Sequence, residues 1–324
     1  MNRAFIPPFI ISIVALTAVY LWSGVAALFL TMILCVLEVT LSFDNAVINA
    51  KILAKMDKVW QKRFLTWGIL IAVFGTRVVL PVVIVSVALW TSPFFIAHLA
   101  IYNAAEYGHL LESVHPAISA FGGSFLLMVS LKYFFNEAKD VHWIEVIEKY
   151  LSRLGRIEAL EIALALIVLL IFSFVLPAIA SSILIAGIIG IVLFVLVEGV
   201  ANSFNRGIKN IASGGLALFL YLNVIDSAFS LDGVVGAFAL TSSILIIAVG
   251  LGIGALFVRT LTLHFVRKKT LDTLIYLEHG AHWAIFGLAA SMFVGLVVHV
   301  PEVITGLIGL IFIFFSYLSS KRAR

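Results

Sequence analysis

The sequence is short of charge and almost without cysteine. Of 324 residues, 12% are charged and 63% are hydrophobic. A soluble domain carries about 25% charged and about 45–50% apolar residues, so this chain has roughly half the charge a water-facing surface needs. That shortage excludes a soluble enzyme, a disordered regulator and a nucleic-acid-binding domain, and the net charge of +4 is no nucleic-acid signal. The single cysteine, Cys35, excludes an intrachain disulfide framework and a thiolate metal site. No nucleotide-binding motif is present, so any energy coupling falls to an ion gradient. Short alternating segments of the kind that build β-barrels are also missing.

What is there is a mean hydropathy of +1.17, carried by long continuous apolar runs. A helical crossing of a bilayer takes about 20 such residues. The runs predict about ten crossings, at 6–22, 25–50, 65–90, 116–135, 159–176, 182–204, 211–238, 243–265, 281–299 and 303–318. Seven Pro and 23 Gly fit transmembrane helices, which tolerate both. The expected fold is all-α: a polytopic transmembrane bundle forming one membrane domain over 1–324. The stretch 94–112 is amphiphilic and reads as interfacial or re-entrant. The stretch 137–158 reads as a charged surface helix. Arg3, the first apolar run and the small residues around Gly24–Ala27 also satisfy a signal-peptide pattern, but the charge distribution favours an uncleaved first helix.

The basic residues fall in groups. Arg3 precedes the first run. Lys51, Lys55, Lys58, Lys62 and Arg63 follow the second. Lys132, Lys139, Lys149, Arg153 and Arg156 follow the fourth, Arg206 and Lys209 the sixth, and Arg267, Lys268 and Lys269 the eighth. Lys321, Arg322 and Arg324 follow the tenth. The intervening loops have none. Basic and non-basic loops alternate as the positive-inside rule requires, which predicts both termini on the cytoplasmic side. Only Arg77 and Arg259 are left, both inside predicted helices.

Two segments match. Glu38-Val-Thr-Leu-Ser42-Phe-Asp44-Asn45 and Asp226-Ser-Ala-Phe-Ser230-Leu-Asp232-Gly233 share the pattern acid-x-x-x-Ser-apolar-Asp-(Asn/Gly). Positions 38 and 226 are 188 apart, and so are 44 and 232. Each motif is followed by a helix with Gly and Arg at one spacing, Gly68 with Arg77 and Gly250 with Arg259. The first motif lies on a crossing that runs inward and the second on one that runs outward. The chain is therefore expected to hold an inverted repeat, with halves 1–180 and 181–324. That arrangement is common in secondary transporters, whose substrate sites lie near the midplane.

Residues three and four apart share a helix face. Cys35, Glu38, Ser42, Asn45 and Asn49 form one polar stripe, and Asn223, Asp226, Ser230 and Gly233 form its counterpart. Thr40 and Asp44 lie elsewhere, because six residues turn a helix by about 240° from Glu38. The two acids of a motif converge only if neighbours wrap around them or the helix unwinds locally, which Gly233 permits. A carboxylate at the bilayer centre costs at least about 2.5–3.5 kcal/mol and by default marks an ion pathway. Glu38, Asp44, Asp226 and Asp232 balanced by Arg77 and Arg259 leave a formal charge of −2, which suits one divalent cation or exchanging protons. The competing reading is two buried ion pairs that only hold helices together. Carboxylate, amide and hydroxyl oxygens (Glu38, Asp44, Asn45, Asp226 and Asp232, supported by Ser42 and Ser230) favour Mg²⁺, Ca²⁺ or Mn²⁺ over Cu or Zn. Na⁺ or H⁺ coupling also fits, and binding should weaken as the acids protonate.

Other polar residues are lesser candidates. Glu198 and Asn202 would line an inner vestibule or sit at the interface. Glu278-His279-x-x-His282 has a metal-like spacing at a basic-side boundary. His98, His109, His115 and His299 belong to the non-basic loops. Lys132 is expected to snorkel to the inner surface, and Trp22, Trp60, Trp67 and Trp90 to join the aromatic belts.

The motifs Glu38–Asn45 and Asp226–Gly233, with Phe121-Gly122-Gly123-Ser-Phe-Leu-Leu and the following Lys132, resemble the TerC family of integral membrane proteins, and most closely its longer bacterial branch of unknown function. That family is grouped with the lysine-exporter superfamily, and members are linked to tellurite resistance or manganese efflux. The resemblance implies a bacterial cytoplasmic-membrane protein with Glu38, Asp44, Asp226 and Asp232 as cation-site acids. The second motif departs from the pattern at Gly233, where many relatives carry Ser.

The reading is a non-enzymatic transporter without a prosthetic group. It would export a divalent cation, Mn²⁺ favoured, by alternating access, with lipid and a small inorganic cation as its partners. The rivals are a non-transporting scaffold of a metal or tellurite stress complex, and an intramembrane aspartyl hydrolase. The hydrolase lacks its Tyr-Asp and Gly-x-Gly-Asp pairing, since Gly250-Leu-Gly252 is followed by Ile253.

Overall fold

The computed structural model describes residues 5–157, 159–207, 211–241, 243–268, 270–298 and 300–323, without the side chains of 65, 200–207, 211–214, 231, 232, 235, 236, 239, 271, 272, 302 and 303. Every element among the described residues is helical. Among the described residues, six stretches are long and apolar enough to cross a membrane: Ile6–Leu41, Lys58–Ala88, His115–Phe134, Pro177–Gly199, Ile244–Lys268 and Ile304–Arg322. Large apolar side chains such as Ile13, Leu21, Phe29, Phe174 and Leu196 are exposed on their surfaces, as a surrounding of lipid tails requires. The chain forms two compact units, Met1–His115 with Asn210–Arg267, and Pro116–Lys209 with Lys268–Arg324.

The first unit opens with α1 (Ile6–Leu41), started by Pro7 and Pro8, whose fixed φ suits a first helical turn. Its 36 residues would measure about 54 Å if straight, far beyond one crossing of about 30 Å. The helix is interrupted at Gly24, which takes φ 80° and ψ −170°, a conformation open to glycine. The two arms then run in opposite directions along α12 (Ile244–Lys268). Phe5 meets His264 and Phe9 meets Phe257, while Thr31 and Leu34 lie at Gly250 and Glu38 lies at Gly254. The predicted break between 22 and 25 is therefore a real reversal.

A second interruption follows at Ser42 (φ −101°, ψ 13°), which separates α1 from α2 (Phe43–Leu53). Next come α3 (Lys58–Leu70), capped by the Asp57 carboxylate accepting from Trp60 N–H at 2.8 Å, a π-helical segment over Ile71–Val79, and α4 (Leu80–Ala88). Two short helices, α5 (Pro93–Tyr102) and α6 (Ala104–Ser113), meet at Asn103, whose side chain caps α6. After the second unit's first segment the chain returns as α11 (Ile211–Leu240) and α12. Leu53, Trp60, Phe64, Phe219, Leu222 and Leu263 form an apolar cluster under this site-bearing region.

The second unit contains α7 (His115–Phe134), α8 (Glu145–Leu154), α9 (Leu160–Val175), α10 (Ala180–Gly207), the short α13 (Thr270–Thr273), α14 (Leu277–Gly295) and α15 (Glu302–Arg322). Small residues set its close packing. A methyl on Gly190 would strike the Phe121 carbonyl, and one on Gly280 the Ser316 side chain. The segment expected to be a surface helix is anchored by its one buried residue, Glu148. Its carboxylate accepts from Lys139 Nζ (2.9 Å) and Trp283 Nε1 (3.0 Å) and lies 2.6 Å from His279 Nδ1.

Candidate functional site

Both acid motifs lie in the first unit and face each other. Glu38 (1% exposed) closes the second arm of α1, and Asp44, Asn45 and Asn49 on α2 are all buried. Asp226 and Ser230, on α11, are also buried. Asn45 donates its amide to Asp226 Oδ1 at 2.6 Å. In the counterpart position, Gly233 lies beside Glu38, where an added Cβ would be 3.5 Å from Oε2. As the chain passes from Glu38 to Asn45, its neighbours pass from Gly233 back to Asp226. The two motif segments therefore run antiparallel.

Each leading acid is held by the arginine that follows it. Arg77 pairs with Glu38 through Nη2, and Arg259 Nη2 donates to Asp226 Oδ2 at 2.7 Å. Moving a charge from water into lipid or protein interior is costly unless it is paired, and these pairs lower that cost. The π-helical segment shapes the first pair. Its wide turns let the Ala72 carbonyl accept from both Arg77 Nη1 and Thr76 Oγ1. The second pair rests on α3, where Arg259 Nη1 donates to the Phe64 carbonyl at 3.1 Å and the guanidinium stacks 4.2 Å from the Phe64 ring. Gly68 makes room for that guanidinium, since a side chain there would collide with it. Gly68 thus serves the arginine of the other motif.

The trailing acids differ. Asp44 accepts the Asn45 backbone N–H at 2.8 Å and has no cationic partner among the described residues. The side chain of Asp232 lies outside the described residues, as do those of Asn202 and His299. Ser42 donates to Glu38 Oε1 at 2.9 Å. The break that separates Glu38 from Asp44 falls at Ser42, whereas α11 continues as a helix through Gly233.

Seven buried side-chain atoms lack a hydrogen-bond partner among the described residues, and six of them belong to the motif helices α2 and α11 or to their two arginines. Four are oxygens: Asn45 Oδ1, Asn49 Oδ1, Asn223 Oδ1 and Ser230 Oγ. The other two are Nε of Arg77 and Arg259. Asn49 and Asn223 belong to the sequence stripes but were not among the predicted ligands; the three-four spacing was the signal that marked them. No three His, Cys, Asp or Glu side chains gather into a metal-binding group among the described residues. The available donors are therefore amide and hydroxyl oxygens together with Asp44, with Glu38 and Asp226 already engaged.

Glu278, His279, His282, Lys132 and Glu198 belong to the second unit, and His98, His109 and His115 to the first. His279 serves Glu148. His282 has Nδ1 2.9 Å from the Glu278 carbonyl and stacks 3.6 Å over Tyr133. These contacts give the Glu-His-x-x-His spacing a structural role. Lys132 joins Glu161 (3.2 Å) and Glu198 (3.5 Å).

The profile of a family described as "Protein of unknown function (DUF475)" matches residues 43–324. No curated protein and no solved structure matches the chain.

Proposed function

We propose that this chain, which belongs to the DUF475 family of proteins of unknown function, is an integral membrane transporter of a small inorganic cation. The cargo is a divalent ion, Mn²⁺ favoured, exported by alternating access from a bacterial cytoplasm, with both termini cytoplasmic. One observation carries the reading: on the polar stripes of the two motif helices, which Asn45 and Asp226 join, Asn45, Asn49, Asn223 and Ser230 keep buried oxygens without a partner among the described residues. A buried acceptor without a partner costs about 1–3 kcal/mol. A passing cation satisfies several of them at once, and oxygen donors of this kind suit Mg²⁺, Ca²⁺ or Mn²⁺.

In this account Arg77 and Arg259 fix Glu38 and Asp226, and Asp44 and Asp232 supply the negative charge that faces the cargo. The antiparallel passage of the two motifs supports an inverted repeat, and with it the resemblance to TerC proteins. Growth in manganese of an exporter-deficient host tests the reading. The wild type should protect, and Asp44→Asn and Asp232→Asn should not. Equal protection at equal expression rejects the assigned site.

The two closed ion pairs favour a second reading, a membrane scaffold in which the acids only join helices. It differs in requiring no ion flux.

A further inference from the structure

Arg77 has a second surrounding besides Glu38. It lines a cavity of about 20 Å³ together with Val82, Ala100, Tyr107, Phe238 and Ile247. That is space for one water, which needs about 10–15 Å³. Arg77 is 7% exposed and its Nε–H has no partner among the described residues, so the cavity's wall includes a buried charged group that can still donate. Except for Arg77 and Tyr107, the walls named here are apolar.

The roof of the cavity is the α5–α6 hairpin. Each helix has 10 residues, about 15 Å, half the thickness of the hydrocarbon layer. Neither helix of the hairpin is therefore long enough to cross that layer. The hairpin follows α4, so it sits at the end of the α3–α4 rod opposite Lys58, Lys62 and Arg63. Its seat is narrow. The Tyr107 ring meets Phe238 edge-on at 5.3 Å and 72°, and a Cβ on Gly108 would be 3.5 Å from the same ring. The other face of α5 exposes Phe94, Phe95, Ile101 and Tyr102, apolar groups that keep the hairpin at the lipid boundary. A turn leads into the hairpin, where Trp90 has φ 53° before α5, and Asn103 joins its two helices.

We propose that α5–α6 is a lid over the Glu38–Arg77 pair, and that the cavity is a water site forming the closed inner stretch of an access route on the non-basic side. The route opens when Tyr107 leaves Phe238. While it is shut, Arg77 stands across a narrow path and repels cations. The inference rests on the transport reading for its purpose but not for its measurement.

The test uses Ala100→Cys in a Cys35→Ser background, reconstituted in liposomes, with a charged membrane-impermeant methanethiosulfonate as the probe. Phe238→Leu keeps most of the bulk but loses the edge contact, and should raise the labelling rate from the non-basic side about two- to tenfold. Tyr107→Phe keeps the ring and should label like the parent. Tyr107→Leu gives the same reading if Phe238→Leu fails to fold. Equal rates in parent and Leu variants, or equal labelling from the basic side, overturn the lid. Because labelling requires no cargo, a working lid with no ion flux would reject the transport reading alone. Flux with unchanged labelling would reject the lid alone.

Discussion

Asn45 gives its side-chain amide to Asp226 at 2.6 Å across 181 residues of chain. Asp226 takes Arg259 on its other oxygen at 2.7 Å, so one carboxylate joins α2, α11 and α12. The corresponding acid, Glu38, has Gly233 where Asp226 has Asn45, and is held by Arg77 and Ser42 instead. The two motifs are alike in pattern and unequal in partners.

Removing the joining amide should therefore be costly. Hydrogen bonds to charged groups contribute about 1.5–3 kcal/mol, so Asn45→Ala should destabilise the protein by about that amount. Chemical unfolding in detergent checks it. A control at Gly295, where an added Cβ meets nothing within 4 Å, should be near neutral as Ala.

The Glu38–Arg77 pair should behave as a unit. Either Glu38→Gln or Arg77→Gln leaves one buried charge alone, a loss of about 3–5 kcal/mol, whereas the double variant should lose less than the sum of the two. A double-mutant cycle on detergent-solubilised protein measures the coupling. Additive losses would mean the pair is not closed in the folded protein.

The anchor of α8 predicts an acid limb. Burial alone would raise the Glu148 carboxyl, but the bonds from His279 and Lys139 outweigh it and hold it at about 2, below its ordinary 4.5. A group with a lowered folded value stabilises fully above the ordinary value and loses that contribution as pH falls toward the folded one. Protease cleavage within 137–157 should therefore increase between pH 4.5 and about 2. Glu148→Gln should be cleaved faster at neutral pH and show a weaker pH dependence there.

Much of this architecture is local and so was legible in the sequence. The reversal at Gly24 lies between two apolar runs, and the polar stripes follow directly from three-four spacing. The helices α7, α9, α11 and α12 lie close to apolar runs of the sequence, whereas α14 starts earlier than its run, at Leu277, and α15 continues beyond its run to Arg322. The break at Ser42 was not legible, because neither proline nor glycine marks it; the sequence instead offered Gly233, where α11 stays helical. The burial of Glu148 within the charged stretch 137–158 is not local, because two of its partners lie far along the chain, with His279 131 residues away. The signal was its sharing a helix face with Ile144 and Leu151. The Tyr107–Phe238 contact had no sequence signal, since two aromatics in separate apolar segments have no pattern that pairs them.

Ion flux into proteoliposomes, taken metal by metal for the wild type, Asp44→Asn and Asp232→Asn, tests the central claim most directly. The account predicts flux of a divalent cation, with Mn²⁺ among the best carried, that is abolished in Asp44→Asn while the variant stays folded. Absence of flux for every ion in correctly folded wild type, or undiminished flux in Asp44→Asn, would contradict it.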